Sequence, residues 1–161
     1  MNRTFPANLY RIFRNRDRSL ATAESCTGGL LGDLITARPG SSEFFLGGVI
    51  AYSNRSKKEL LGVGDAILRR NGAVSRRTAL AMARGARKIF GSTFGAAITG
   101  IAGPGGGSPG KPVGLVYIAV AGPEGETVEK FTFSGSRKEI KLQAARRAIV
   151  LLAEVAGGGD E

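Results

Sequence analysis

Apolar positions along this 161-residue chain fall into short runs whose period switches repeatedly between that of a helix and that of a strand. Leu9, Ile12 and Phe13 stand at helical spacing, so Pro6 to Arg16 reads as a short amphipathic helix. Leu20 to Ala23 reads as a strand, followed by a helix over Gly29 to Thr36. Pro39-Gly40-Ser41-Ser42 marks a turn, and a second strand is expected over Gly48 to Tyr52. Ser53 is placed to cap a helix from Asn54 to Leu61, and a shorter helix is expected over Asp65 to Arg70. Ser75 suits the N-cap of a long helix ending near Phe90-Gly91, with Leu80, Ala83 and Ala86 as its apolar stripe. Phe94 to Thr99 reads as a third strand, and Gly100 to Pro112 as a loop rich in glycine and proline. Val113 to Ala121 and Thr127 to Phe133 read as strands joined by the hairpin signal Gly122-Pro123-Glu124-Gly125. Ser136 to Val155 is a final amphipathic helix, and Gly157 to Glu161 a frayed tail.

This order predicts an α/β fold, a mostly parallel sheet with helices on both faces. Residues 1–161 show no repeat and no linker long enough to divide them, so one domain is expected. Helices connect the first three strands, so their carboxyl ends share one edge of the sheet, where ligands bind in open α/β folds. The loops leaving that edge are Ser25 to Gly29, Ser53 to Lys57 and Gly100 to Pro112, and the hairpin returns Gly135-Ser136-Arg137 to it. Four separated segments thus bring a hydroxyl, a lysine, a phenol, a glycine loop and an arginine to one place.

Composition narrows the chemistry. The chain has no histidine, which removes the Ser-His-Asp triad, the Cys-His pair and the HExxH zinc site together. No cofactor or metal is implied by any spacing. The single cysteine excludes an intrachain disulfide and fits a reducing compartment. There is no apolar run long enough for a membrane span and no signal region after Met1, so a cytoplasmic location is expected. Net charge is +10, yet the basic residues are spread and not interleaved with aromatics, so a solvated basic surface is favoured over a nucleic-acid groove.

The corner Glu24-Ser25-Cys26-Thr27-Gly28-Gly29 carries the sharpest signal. A hydroxyl there sits beside helix N–H groups that lack intrahelical partners, and two glycines allow close approach by a ligand. Ser25 or Thr27 equally suits a plain helix cap. If Ser25 is a nucleophile, a lysine of lowered pKa must take its proton, and a tyrosine can assist; Tyr52 stands out in Tyr52-Ser53-Asn54-Arg55-Ser56-Lys57. Spacing does not decide whether Lys57 or Lys58 turns inward. Arg137 at a helix start opposes the helix dipole and hints at a nearby anion. Cys26 reads as a small buried residue. Gly105-Gly106-Gly107-Ser108-Pro109-Gly110-Lys111-Pro112 imitates a phosphate loop, but a strand follows it instead of a helix. The segment fits either a flexible loop or a flap over a substrate.

The segments Ala23 to Gly29, Tyr52-Ser53-Asn54 with Lys57, Leu61-Gly62-Val63, Gly72 to Ser75, Thr99 to Pro104 and Lys111 to Gly114 run in order across most of the chain. Together they resemble the CinA C-terminal domain family, whose stand-alone members include a nicotinamide-nucleotide amidase. The resemblance implies a three-layer α/β/α sandwich with a mixed, mainly parallel sheet of about five strands. It implies hydrolysis of nicotinamide mononucleotide to nicotinate mononucleotide and ammonia, in pyridine nucleotide salvage. It makes Ser25 the nucleophile, Lys57 its base and Tyr52 an assistant. Thr27, Gly28, Gly29, Gly100, Ile101, Ala102, Gly103 and Arg137 then bind substrate. The partner expected is a small nucleotide, without membrane or nucleic acid, and the protein is expected to be a homo-oligomer. The other classes open to the sequence are a catalytically inactive nucleotide-binding module and a nucleic-acid-associated protein.

Overall fold

The computed structural model describes residues 7–14 and 17–158. Its elements are α1 (Ala7–Arg14), β1 (Leu20–Glu24), α2 (Leu30–Thr36), β2 (Phe45–Ile50), α3 (Asn54–Leu61), α4 (Asp65–Asn71), α5 (Arg76–Phe90), β3 (Phe94–Gly100), β4 (Leu115–Gly122), β5 (Gly125–Thr132) and α6 (Arg137–Gly157). A short 3-10 turn, Ser41–Glu43, precedes β2. The strands form one sheet in the order β2-β1-β3-β4-β5. β1 pairs parallel with β2 and β3, while β4 pairs antiparallel with β3 and β5, so only β4 runs against the rest. Helices cover both faces, which is the expected α/β/α sandwich.

The two faces differ in residue size. Toward α1, α2 and α6 the strands present Leu20, Ile98, Val116, Ile118 and Val120, packed with Phe13, Leu31, Ile140 and Ile149. Toward α5 the alternate positions are Ala21, Ala23, Ala97, Ala119 and Ala121, packed with Met82, Ala83 and Ala86. Small residues let α5 lie almost on the sheet. A Cβ on Gly95 would stand 2.1 Å from the Ala83 carbonyl oxygen, and one on Gly85 the same 2.1 Å from that of Leu61.

Several sequence expectations shift. β2 ends at Ile50, not Tyr52, because its partner β1 stops at Glu24; Ala51 and Tyr52 leave the ladder and turn their carbonyls inward. The buried stripe of α5 is Thr78, Ala79, Met82, Ala83 and Ala86, with Leu80 only half-buried, since the flat alanine face of the sheet selects small side chains. The first helix covers Ala7–Arg14, and the rest of the expected Pro6 to Arg16 helix lies outside the described residues. Gly157 belongs to α6, and residues 159–161 of the expected tail lie outside the described residues.

The glycine loop is tied down at both ends. Ile101 N–H donates to the Leu115 carbonyl at 2.9 Å, and Gly114 N–H donates to that of Ile101 at 2.8 Å. Ser108 and Lys111 form a small antiparallel bridge, and Lys111 Nζ donates to the Asn71 carbonyl at 2.7 Å, at the end of α4.

Candidate active site

β1 leads directly into the corner. Ser25 N–H donates to the Ile98 carbonyl at 3.0 Å, and Gly28 N–H folds back to the Ser25 carbonyl at 3.1 Å. Gly28 (φ +62°) and Gly29 (φ +102°) take left-handed conformations that favour glycine. Gly29 is the N-cap of α2 and has no side chain to cap with, and neither Ser25 nor Thr27 plays the plain capping role. Glu24 does the work of a cap from within the strand. Its carboxylate accepts from the Leu31 N–H at 2.8 Å and the Gly32 N–H at 3.1 Å, while the residue is only 2% exposed. Negative charge at a helix N-terminus is favourable, and both oxygens are engaged. The sequence reading missed Glu24. An acid closing an otherwise apolar strand just before a helix was the available signal.

α3 delivers the base candidate. Ser53 and Ser56 form a reciprocal capping box, which starts the helix and sets its phase one residue before Lys57. Lys57 turns inward and is 1% exposed, whereas Lys58 is exposed and pairs with Asp65 at 2.7 Å. Lys57 Nζ lies 2.8 Å from Ser25 Oγ, 3.0 Å from the Ala51 carbonyl and 3.0 Å from the Tyr52 carbonyl. Among the described residues no carboxylate touches it. Burial pushes the Lys57 ammonium below its ordinary value, with the neighbouring Cys26 thiol pulling weakly the other way. In the neutral amine two N–H bonds reach the two carbonyls, and the lone pair faces the Ser25 hydroxyl.

Cys26 is buried and its thiol is pushed up to about 11, first by desolvation. It is therefore a poor nucleophile near neutrality, as its reading as a small buried residue anticipated.

Tyr52 and Arg137 form the outer wall. The Tyr52 ring is exposed, and its backbone carbonyl holds Lys57. Its phenol accepts from Arg137 Nη2 at 3.0 Å and touches neither Ser25 nor Lys57. Arg137 Nη1 donates to the Gly103 carbonyl at 2.7 Å. The first turn of α6 thereby joins the loop after β2 to the loop after β3. Ser136 and Glu139 fix that helix start through a second capping box.

The other expected site residues divide. Thr27 is 1% exposed, and its hydroxyl has no hydrogen-bond partner among the described residues. Gly28 is exposed, but its N–H is engaged by Ser25. Gly29 backs onto the Ile50 side chain. Gly100 ends β3 against Val116, Ile101 has its backbone paired with Gly114 and Leu115, and Ala102 is buried in the core. Of that run only Gly103 meets a predicted site side chain, Arg137. Lys141 was not read from the sequence. It follows Arg137 by one helical turn, and its Nζ stands 3.8 Å from where a Gly28 Cβ would be. Among the described residues, no group of three His, Cys, Asp or Glu side chains is placed to hold a metal ion.

A family model described as the CinA C-terminal domain matches residues 2–156. The chain belongs to the CinA C-terminal domain family. A CinA-like protein from Synechococcus sp. (strain RCC307) is 62% identical over 112 residues, which are 70% of this chain and 27% of that protein. A CinA-like protein from Geobacter sulfurreducens is 48% identical over 146 residues, 91% of this chain and 35% of that one. The chain thus spans about a third or less of the length of these curated relatives. Among solved structures, a CinA superfamily protein from Klebsiella pneumoniae superposes with a TM-score of 0.90 at 32% identity, covering 94% of both chains. The competence/damage-inducible protein CihA from Agrobacterium tumefaciens gives 0.85 at 40% identity, covering 94% of this chain and 97% of its own. These likenesses agree with the CinA fold seen here. No helix among the described residues is long and apolar enough to cross a membrane.

Proposed function

We propose that this CinA-family chain is an amidohydrolase that converts nicotinamide mononucleotide to nicotinate mononucleotide and ammonia through a Ser25–Lys57 dyad. The observation that carries the reading is the buried Lys57 amine, held by two carbonyls and aimed at Ser25 Oγ from 2.8 Å. Membership of a family that includes such amidases supports the choice of substrate.

An amide is a weak electrophile with a poor leaving group, so covalent catalysis divides the task into two steps. Neutral Lys57 takes the Ser25 proton as Oγ attacks the carboxamide carbon. The resulting Lys57 ammonium gives that proton to the amide nitrogen, and the C–N bond breaks to release ammonia. Water then attacks the acyl ester, Lys57 accepts its proton, and return of that proton to Oγ restores Ser25 with release of the carboxylate. The Thr27 N–H, which has no acceptor among the described residues, is the corner donor for the oxyanion; the Gly28 N–H is already engaged. Arg137 uses two of its five donors on Gly103 and Tyr52, leaving three for a phosphate oxygen.

The test is incubation of purified protein with nicotinamide mononucleotide, without added metal, followed by chromatography and an ammonia assay. Equal yields of ammonia and nicotinate mononucleotide support the reading. Tight nucleotide binding with no ammonia would make the chain a binding module.

A further inference from the structure

We propose that Lys141 is a specificity-determining residue of this site: its ammonium, set against the Gly28 corner, recognises the phosphate of a ribosyl phosphate ester. The inference rests on the amidase reading and assigns a residue to the phosphate of its substrate.

Position argues first. Arg137 and Lys141 are one turn apart on α6, on the same helix face. Arg137 is partly committed to the Gly103 carbonyl and the Tyr52 phenol, so it also works as a clamp. Lys141 is half-buried and has no hydrogen-bond or ion-pair partner among the described residues. Its Nζ stands 3.8 Å from the position a Gly28 Cβ would occupy. Gly28 closes a tight turn onto the Ser25 carbonyl, which keeps the two α-carbons within about 7 Å. The ammonium is therefore within a nucleotide's length of the nucleophile.

Charge argues second. Glu139, two residues before Lys141 on α6, is committed to the Ser136 N–H, and Glu24, four residues before Gly28, to the Leu31 and Gly32 N–H groups. Neither neutralises Lys141. The buried Thr27 hydroxyl, next to Gly28, is the independent sign that a ligand belongs here, since it has no hydrogen-bond partner among the described residues and a buried polar group is normally paired. A ribosyl phosphate brings both an anion for Lys141 and hydroxyls for Thr27.

The experiment is titration calorimetry in a Ser25→Ala background, which keeps the amide intact. Probes are nicotinamide mononucleotide, ribose 5-phosphate and nicotinamide riboside. Lys141→Met should weaken both phosphorylated probes by about 10- to 100-fold, the range of a lost charge-assisted contact. Lys141→Arg should stay within about 3-fold, because it keeps the charge and the donors. Riboside affinity should not change in either variant, and thermal midpoints should show that both fold. Unchanged mononucleotide affinity in Lys141→Met overturns the inference. So does an equal loss on the riboside, or no ribose 5-phosphate binding by the protein that keeps Lys141. Lys141-dependent binding without ammonia release from the Ser25 protein overturns the amidase reading alone. Ammonia release with a KM unmoved by Lys141→Met overturns this inference alone.

Discussion

Lys57 Nζ lies 2.8 Å from Ser25 Oγ, and its other two contacts are backbone carbonyls rather than carboxylates. That relationship decides the electrostatics of the site. A carboxylate would hold the ammonium charged; carbonyls satisfy the amine's hydrogens without adding an anion. Burial then lowers the pKa, and a lysine becomes usable as a base.

The first prediction is a pH profile. kcat/KM for the nucleotide should rise with pH and level off once Lys57 is neutral, with a midpoint below 10.5. Stability follows the same sign. Between the lowered folded value and 10.5 the unfolded chain binds more protons at Lys57 than the folded one, so stability rises with pH across that window. The contribution is complete above 10.5 and is lost as pH falls through the folded value. Urea unfolding of wild type and Lys57→Met at several pH values should show the difference moving toward wild type as pH rises. A flat difference would contradict the lowered pKa.

Glu24 gives a second expectation. Glu24→Ala removes two charge-assisted hydrogen bonds and strands the Leu31 and Gly32 N–H groups, a loss on the order of 2–4 kcal/mol. Glu24→Gln keeps one acceptor oxygen and should lose less. Urea midpoints for the two variants check the order.

Much of this was legible in the sequence. Alternation of strand and helix runs implies the layers, and the carboxyl-end rule places Ser25, the Tyr52 to Lys57 segment and Arg137 at one edge. What was not legible depends on tertiary contact. Nothing local separates Lys57 from Lys58; the phase of α3 as it packs on α5 does, turning Lys57 toward Ser25. Glu24 looked like part of the motif, and only the folded helix shows its carboxylate on the α2 N–H groups. Lys141 was hidden because a lysine on a long helix is ordinarily solvated, and only the approach of Gly28 makes it different.

Cys26 tests burial directly. With its thiol pushed up to about 11, the native protein should react very slowly with a disulfide reagent at pH 7.5, and rapidly once unfolded in urea. Cys26→Ala should retain most turnover. Fast labelling of native protein, or a dead Cys26→Ala enzyme, would contradict the assignment.

Gly85→Ala tests the closeness of α5 to its neighbours. Alanine in a helix normally gains about 1 kcal/mol over glycine. Here the new Cβ would meet the Leu61 carbonyl at 2.1 Å, so the variant should instead lose about 1–3 kcal/mol through overpacking. Chemical denaturation supplies the sign.

The most direct measurement of the central claim is turnover of nicotinamide mononucleotide by Ser25→Ala, Lys57→Ala and the double variant, beside wild type, with circular dichroism confirming the fold. A nucleophile and its base act as a unit, so each single variant should lose nearly all activity, and the double variant should be little worse than either. Substantial ammonia release by Ser25→Ala, or losses that multiply in the double variant, would show that the two side chains do not act as one dyad.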